Sequence, residues 1–340
     1  MKYVYVLTST PKDIYYEQFL LSAKSLNLIM PNAEIILLCD TLTKESLTGK
    51  RGEYDKLVSK TITVEAPCDL IQIQKSRWVR TSMRRLIEGD FLFLDGDTIV
   101  TDNLSSIGNS GVKFGACLDK HSLLNKHTKS KNIIEKNKYL GFNSHTSNCH
   151  YNGGVLYCAD IPEIHKLFER WHELWLFCNS KNIVRDQPSL NMAIHENLSL
   201  FTELDGTWNC QISFNGLPFL SDSKIIHYFM SDLFMHSSPF SLASGEIFLK
   251  IRETGFIPDE ALELLKKPRA AFVPESRIIA GENTLFVVNS SLFEFILLIR
   301  QKIPFLFCFF NGICSFFKKI AKFFMVKINR KKDGGIKYYN

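Results

Sequence analysis

Apolar and amphipathic segments alternate along the first hundred residues of this chain. Short apolar runs bounded by polar residues predict strands, and longer segments with apolar residues three to four positions apart predict helices. The predicted strands are Tyr3–Leu7, Glu34–Cys39, Thr61–Val64 and Phe91–Leu94, and the helices between them are Ile14–Ile29, a polar segment after Cys39, and Lys75–Glu88. This alternation is typical of right-handed βαβ units. We therefore expect an α/β fold with a mostly parallel sheet flanked by helices.

The last fifty residues follow a different pattern. From Ser291 the chain is strongly apolar and aromatic, but its longest charge-free run, 303–317, has 15 residues. Roughly 18–20 apolar residues are needed to span a bilayer. Phenylalanines then alternate with lysines at helical spacing up to Lys332, which is typical of a helix lying on an anionic membrane surface. We expect residues 291–332 to bind such a surface; a helix packed on the protein or on a partner is the alternative.

The charge of the chain is concentrated in this tail. The net charge is +6, and residues 318–340 contain eight Lys or Arg and one Asp, or +7, which leaves −1 for residues 1–317. A nearly neutral body argues against a nucleic-acid-binding groove. The nine cysteines are scattered without a C-x-x-C pair, and the N-terminus reads as a strand rather than a signal peptide. We therefore expect reduced thiols and a cytoplasmic protein.

Two carboxylates follow the predicted strand Phe91–Leu94. Asp95 and Asp97 are two positions apart, so in an extended segment they share a face and could bind one hard cation, Mg²⁺ or Mn²⁺. A solvated Asp-Gly-Asp turn is the alternative. The hydroxyl residues 8–10 follow the first strand and should lie at the same edge of the sheet, where ligands bind in such folds. No glycine-rich dinucleotide motif or P-loop is present.

Four motifs, in this order, resemble those of glycosyltransferase family 8. They are Arg80 upstream of Leu94-Asp95-Gly96-Asp97, then Tyr151-Asn152-Gly153-Gly154-Val155, then Asp186-Gln187-Pro188-Ser189-Leu190-Asn191, then Ile225-Ile226-His227-Tyr228. The resemblance implies a Rossmann-type catalytic domain of the GT-A class over residues 1–235. Residues 236–290 would form an extension of uncertain structure, and residues 291–340 the helical, basic and amphipathic tail.

The resemblance also implies an activity and the residues that perform it. The enzyme would be a retaining hexosyltransferase that moves a hexose from a nucleotide sugar, UDP-glucose or UDP-galactose, to a hydroxyl of a surface glycan or lipid-linked acceptor. The metal ligands for Mn²⁺, or Mg²⁺, would be Asp95, Asp97 and His227. The donor-binding residues would be Thr8, Ser9, Thr10, Arg80, Asp95 and Gly154, and the catalytic residues Asn152, Asp186 and Gln187. The polar segment Lys120–His150 would serve as a lid or acceptor loop.

Several of these residues have a purely structural alternative. The hydroxyls of residues 8–10 could cap a helix, Asp186 could cap the helix that follows it, and His227 could be a core histidine. Arg77 lies one turn from Arg80 on the same helix face and competes with it for the donor. The sequence also departs from the family, because the Gly and Lys expected after the metal histidine are missing. Lys224 or His236 compensates, or the contact to the phosphates is weaker.

Two other activities fit part of the pattern. A sugar nucleotidyltransferase has a similar sheet and metal site, but it normally needs a glycine-rich basic loop after the first strand, which this sequence lacks. A membrane-bound scaffold with a degenerate transferase fold is the other alternative. In all three cases the tail predicts a protein held peripherally at the cytoplasmic face of a membrane.

Overall fold

A computed structural model describes residues 1–229, 241–272, 286–287 and 290–317. The chain divides into two compact units, residues 1–278 and 279–340, which we describe separately. His236 and the lysine-rich residues 318–332, both named in the sequence analysis, lie outside the described residues. All nine cysteines lie within them and are free thiols.

The first unit contains ten strands and ten helices in its described residues. The strands are β1 Lys2–Leu7, β2 Glu34–Asp40, β3 Lys60–Val64, β4 Phe91–Leu94, β5 Thr98–Val100, β6 Phe114–Ala116, β7 Val155–Cys158, β8 Phe201–Glu203, β9 Cys210–Gln211 and β10 Ile225–His227. The helices are α1 Tyr15–Ile29, α2 Thr41–Ser46, α3 Gln72–Thr81, α4 Met83–Leu86, α5 Ser130–Tyr139, α6 Pro162–Ser180, α7 Gln187–Glu196, α8 Gly245–Thr254, α9 Asp259–Leu265 and α10 Pro268–Ala271. Short 3₁₀ turns connect several of them.

Seven of the strands form one sheet in the order β3-β2-β1-β4-β7-β6-β8. Strands β1 to β4 run parallel to one another, and β8 runs parallel to β6. Strand β7 runs antiparallel to both β4 and β6. Helices pack on both faces. The predicted α/β fold with a mostly parallel sheet is confirmed.

The side chains of β1 show why the sheet has two apolar faces. Tyr3, Tyr5 and Leu7 join the core cluster that also contains α1, whereas Val4 joins the cluster on the opposite face, with α6 and α7. Successive side chains of a strand point to opposite sides, so a strand that is apolar at every position must be covered on both. The central strand β4 is buried at all four positions for the same reason.

A small second sheet positions the motif Ile225-Ile226-His227-Tyr228. Its order is β5-β10-β9, and β10 pairs antiparallel with β5 so that His227 lies opposite Thr98. This register continues by one residue, because the Tyr228 amide donates to the Asp97 carbonyl at 3.2 Å. His227 is thereby brought beside Asp97 although 130 residues separate them.

The structure refines two sequence predictions. The predicted helix Lys75–Glu88 is divided at Ser82 into α3 and the short α4, and it begins earlier, at Gln72. The polar segment 120–150 was predicted as a loop, but it contains the ten-residue helix α5. The Asn137 side chain of this helix is buried and donates to Ser144 Oγ at 3.1 Å, which ties the helix to the turn that follows.

In the second unit, the described residues contain the helix α11 Ser291–Lys302 and a further helical stretch over residues 304–317. The break falls before Pro304, which cannot donate its backbone nitrogen to the preceding turn. Large apolar side chains of this unit are exposed, among them Leu292 (65%) and Phe305 (76%). None of the helices in the described residues is both long enough and apolar enough to cross a bilayer.

Candidate active site

The two aspartates after β4 and the histidine at the end of β10 form one cluster. One ligand atom from each of Asp95, Asp97 and His227 lies within 4.8 Å of the others. Strand β4 places Asp95 at the carboxyl edge of the main sheet, where its amide donates to the Gly154 carbonyl at 2.8 Å. Two carboxylates and one imidazole suit Mn²⁺ or a related borderline cation. Among the residues that the structure describes, this is the group of side chains suited to hold a metal ion.

A chain of amides fixes the His227 ring. The Asn209 Nδ2 donates a hydrogen bond to Asn152 Oδ1 at 3.0 Å. The Asn209 Oδ1 therefore faces His227 and accepts a hydrogen bond from its Nδ1, also at 3.0 Å. The other ring nitrogen, Nε2, lies 3.1 Å from Asp97 Oδ1. An imidazole whose Nδ1 holds the proton presents its Nε2 lone pair to a metal. The amide chain therefore holds the His227 ring with its Nε2 toward Asp97, the orientation that a metal ligand would need.

The charges of the cluster also fit a cation. Burial lowers the pKa of His227, but Asp97 and Asp95 outweigh it, and the pKa stands above its ordinary value. The pKa of Asp95 is raised by burial and by Asp97, against the opposing field of Arg80. The two carboxylates thus repel each other in a half-buried site. A divalent cation between them would relieve that repulsion, and the residues present fit one.

Arg80 is buried behind this cluster. Its side chain is 6% exposed, with Nη1 3.6 Å from Asp95 Oδ1, Nε 3.4 Å from Asp186 Oδ2, and Nη2 donating to the Gly153 carbonyl. The guanidinium also lies over the Phe93 ring, 4.6 Å from its centroid. Burial alone would lower its pKa, but the surrounding carboxylates hold it above its ordinary value. Arg80 therefore links the Asp-x-Asp motif to Asp186 as a fixed positive charge.

Asp186 and Gln187 stand at the start of α7. The Asp186 carboxylate accepts no hydrogen bond as a helix cap; it pairs instead with Arg77, at 3.2 Å, and with Arg80. Burial would raise the pKa of Asp186, but these two guanidinium groups lower it below its ordinary range. Asn191 exchanges hydrogen bonds with the backbone of Tyr151 at 2.7 and 3.0 Å. These bonds hold α7 against the segment that carries Asn152 and Gly154.

A cavity of about 320 Å³ opens at the end of β1, next to Asp95 and Asp97. Its described lining includes Thr8, Tyr15, Gln72, Arg77, Asp95 and Asp97. Ser9 and Thr10 are not part of this lining. Their hydroxyls bond instead to the Asp13 carboxylate at 2.7 and 3.0 Å, next to the first turn of α1. Of the three predicted hydroxyls, the structure brings Thr8 to the cavity and uses the other two in the turn that leads into α1.

Asn152 and Gly154 lie between the cluster of Asp95, Asp97 and His227 and a second polar group around Asp119. The Asn152 Oδ1 accepts from the Gly154 amide at 2.8 Å, and its Nδ2 donates to Asp119 Oδ1 at 2.8 Å. Both polar atoms of the Asn152 side chain are thus engaged within the protein, since Oδ1 also accepts from Asn209. Gly154 packs directly under the His227 ring, with no room for a side chain.

Asp119 and Asn209 also belong to this site, and neither is among the residues predicted from the sequence. Asp119 pairs with His127 Nε2 at 3.0 Å, and this hydrogen bond, with those from Asn152 and the field of His150, lowers the pKa of a carboxyl that burial would raise. Asp119 follows the apolar run of β6, as Asp95 follows β4, so the same strand-end rule would have pointed to it. Asn209 follows no such run, and no local signal marks it.

The expected replacement for the missing lysine is not provided by Lys224. Its Nζ lies 3.9 Å from Asp102 Oδ2 and over the ring of Trp208, at the opposite end of β10 from His227. His236, the second replacement considered, lies outside the described residues.

Comparison with known proteins identifies the family. Residues 88–231 match the family model described as Glycosyl transferase family 8, and this range contains the Asp-x-Asp motif, Asn152, the Asp186-Gln187 pair and His227. The protein is therefore a glycosyltransferase. The matched segment is a family 8 domain, which confirms the family and the enzyme class predicted from the motifs. No curated protein matches the chain.

Solved structures of glycosyltransferases are similar to this chain at low sequence identity. A galactosyltransferase, LgtC, in complex with donor and acceptor sugar analogues is 17% identical over 77% of this chain and 99% of its own, with a TM-score of 0.47. Mouse xyloside xylosyltransferase 1 in its apo form is 13% identical over 66% and 96%, with a TM-score of 0.43. GlyE from Streptococcus pneumoniae TIGR4 is 16% identical over 82% and 66%, with a TM-score of 0.45.

Proposed function

We propose that this enzyme is a metal-dependent retaining hexosyltransferase. Its donor is a UDP-hexose, UDP-glucose or UDP-galactose, and its acceptor is a hydroxyl of a surface glycan or lipid-linked sugar. The observation that carries this proposal is the cluster of Asp95, Asp97 and His227, whose two aspartates line the cavity beside β1. We assign the catalytic domain to residues 1–235, with 236–290 as an extension and 291–340 as the tail.

The reaction breaks the bond between the anomeric carbon and the diphosphate and forms one to the acceptor oxygen. Asp95, Asp97 and His227 would hold Mn²⁺ or Mg²⁺, which would supply positive charge next to the departing diphosphate. Retention without an obvious carboxylate nucleophile favours displacement on the face that the leaving group vacates. The acceptor hydroxyl then gives its proton to a leaving phosphate oxygen, so no further base is required.

The remaining residues hold the donor sugar for this step. The ionised Asp186 carboxylate accepts hydrogen bonds from donor hydroxyls, since its lowered pKa keeps it an acceptor. Gln187, half-buried at the start of α7, lies next to the bond being formed. Asn152 and Gly154 hold neighbouring residues in place. Asn152 accepts from Asn209, which supports His227, and donates to Asp119. Thr8 contacts the nucleoside from the end of β1, and Ser9 and Thr10 shape the turn behind it.

A donor panel tests this function. Purified full-length protein with Mn²⁺ is expected to release UDP from UDP-glucose or UDP-galactose, and excess EDTA is expected to abolish the release. Release is measured by a coupled UDP assay, with GDP- and ADP-sugars as controls, and anomer analysis of the glycoside product tests retention. Pyrophosphorolysis of the donor to UTP would instead indicate a nucleotidyltransferase. Absence of turnover with every nucleotide sugar would favour a non-catalytic scaffold.

We also propose that the tail binds an anionic membrane surface at the cytoplasmic face. The exposed apolar side chains of residues 290–317 and the lysines that follow in the sequence support this proposal. The full chain is expected to sediment with vesicles containing phosphatidylserine, whereas a chain ending at residue 290 should stay in the supernatant. Vesicles without anionic lipid serve as the control. Equal sedimentation of both chains would contradict membrane binding through this segment.

A further inference from the structure

Two arginines stand one helical turn apart on α3, and their surroundings differ. Arg80 is buried, and its guanidinium is divided among Asp95, Asp186 and the Gly153 carbonyl. Nη2 thus makes a hydrogen bond, and Nη1 and Nε take part in ion pairs with Asp95 and Asp186. Moving it toward a ligand would leave buried carboxylates without a counter-charge, which is strongly unfavourable.

Arg77 is placed where a ligand can reach it. Its side chain is 25% exposed and lines the cavity together with Asp95 and Asp97. Its Nε lies 3.2 Å from Asp186 Oδ1, and its Nη1 donates to the Oγ of Ser76 at 3.4 Å, a side chain that also lines the cavity. Among the described residues that line this cavity, Arg77 supplies the positive charge.

A donor diphosphate would bring more negative charge into a site that already holds three carboxylates. No lysine or arginine occurs between His227 and Pro239, and Lys224 pairs with Asp102 away from the site. The carboxylates of Asp95, Asp97 and Asp186 outnumber the two arginines. A divalent cation would make the site positive overall, and Arg77 would add a directed donor to it.

We propose that Arg77 contacts the donor diphosphate in place of the missing lysine, and that Arg80 is a positioning residue that holds Asp95 and Asp186. This inference rests on the proposed function, because it presumes a nucleotide sugar in the cavity. A guanidinium donates two parallel N–H groups to phosphate oxygens, and charge-assisted hydrogen bonds of this kind are stronger than neutral ones.

The test compares nucleotide binding by full-length variants. Arg77→Gln removes the charge, Arg77→Lys keeps it, and Arg85→Gln is the matched control, since Arg85 is exposed in the next helix and bonds to Ser82 Oγ. Calorimetric titrations with UDP, UMP and uridine are run with Mn²⁺ and again with EDTA. The Arg77→Gln variant is expected to bind UDP about 10- to 100-fold more weakly.

The pattern across ligands distinguishes this role from a structural one. A contact to phosphate leaves uridine binding within about two-fold of wild type, is partly kept by Arg77→Lys, and persists in EDTA. Unchanged UDP binding by Arg77→Gln would overturn the inference while leaving the proposed function intact. An equal loss for uridine, with a lower melting temperature, would also overturn it by showing a structural role. A wild-type protein that binds UDP no better than uridine would contradict the proposed function itself.

Discussion

The Asp97→Asn variant is expected to fold and to lose at least about 1,000-fold of its UDP-sugar turnover. Asparagine has the shape of aspartate but removes one of the two carboxylate charges that would hold the metal ion. The same carboxylate lies 3.1 Å from His227 Nε2, so its replacement also changes the surroundings of a second ligand. Removing about 4 kcal/mol of charge stabilisation from the departing diphosphate corresponds to this factor. Initial rates of UDP release at several Mn²⁺ concentrations measure it.

Asp102→Asn is the matched control for this prediction. Asp102 lies five residues further along, its side chain is 51% exposed, and it pairs with Lys224 and Arg269 rather than with the cluster. Its neutralisation should leave turnover within about two-fold of wild type, as expected for an exposed ion pair. A melting curve for each variant separates loss of metal binding from loss of fold. Wild-type turnover by Asp97→Asn at limiting Mn²⁺ would contradict the metal assignment.

The features that could be predicted from the sequence are those with a local pattern. The strands β1, β2, β3 and β4 are short apolar runs, and helix α1 has a clear helical period, so their order alone indicated the parallel sheet. The Asp95–Asp97 spacing depends only on neighbouring residues. For the same reason, the position of these carboxylates at the edge of the sheet followed from the strand that precedes them.

The features that could not be predicted depend on pairing between distant residues. The register of β10 against β5 places His227 beside Asp97, and a shift of one residue would turn the histidine to the other face. The support of the histidine by Asn209 depends on the same register. The different fates of Arg77 and Arg80 follow from the packing of α3 on the sheet, which no helical period reveals.

The hydroxyls after β1 show a different limit. A Thr-Ser-Thr run at a strand-to-helix junction fits both a ligand contact and a turn that leads into a helix, because both need hydroxyl groups close to backbone amides. Ser9 and Thr10 belong to the turn, because both of their hydroxyls donate to the Asp13 carboxylate. Thr8 lines the cavity instead. The aspartate is visible in the sequence, but the direction of its side chain is not.

The substitution Gly154→Ala should disable the metal site without touching a ligand. A Cβ at this position would overlap the His227 ring, lying 2.7 Å from Nδ1, and would stand 2.9 Å from Asn152 Oδ1. Neither side chain can move freely, because His227 is bonded to Asn209 and the Asn152 Oδ1 accepts from the Gly154 amide itself. The histidine must therefore shift from its position beside Asp97. Such overpacking costs about 1–3 kcal/mol of stability.

The displaced ligand is expected to weaken Mn²⁺ binding by about 10- to 100-fold, the range found when the support of a metal-binding histidine is disturbed. The concentration of Mn²⁺ that gives half-maximal UDP release should rise accordingly, and the melting temperature should fall. Gly108→Ala is the control, because a Cβ there would meet only the Met1 sulfur, at 3.8 Å, an ordinary contact. If Gly154→Ala lowered the melting temperature but left the Mn²⁺ requirement unchanged, His227 would be a packing residue rather than a ligand. If both quantities changed, glycine at position 154 would be needed because any side chain there displaces His227.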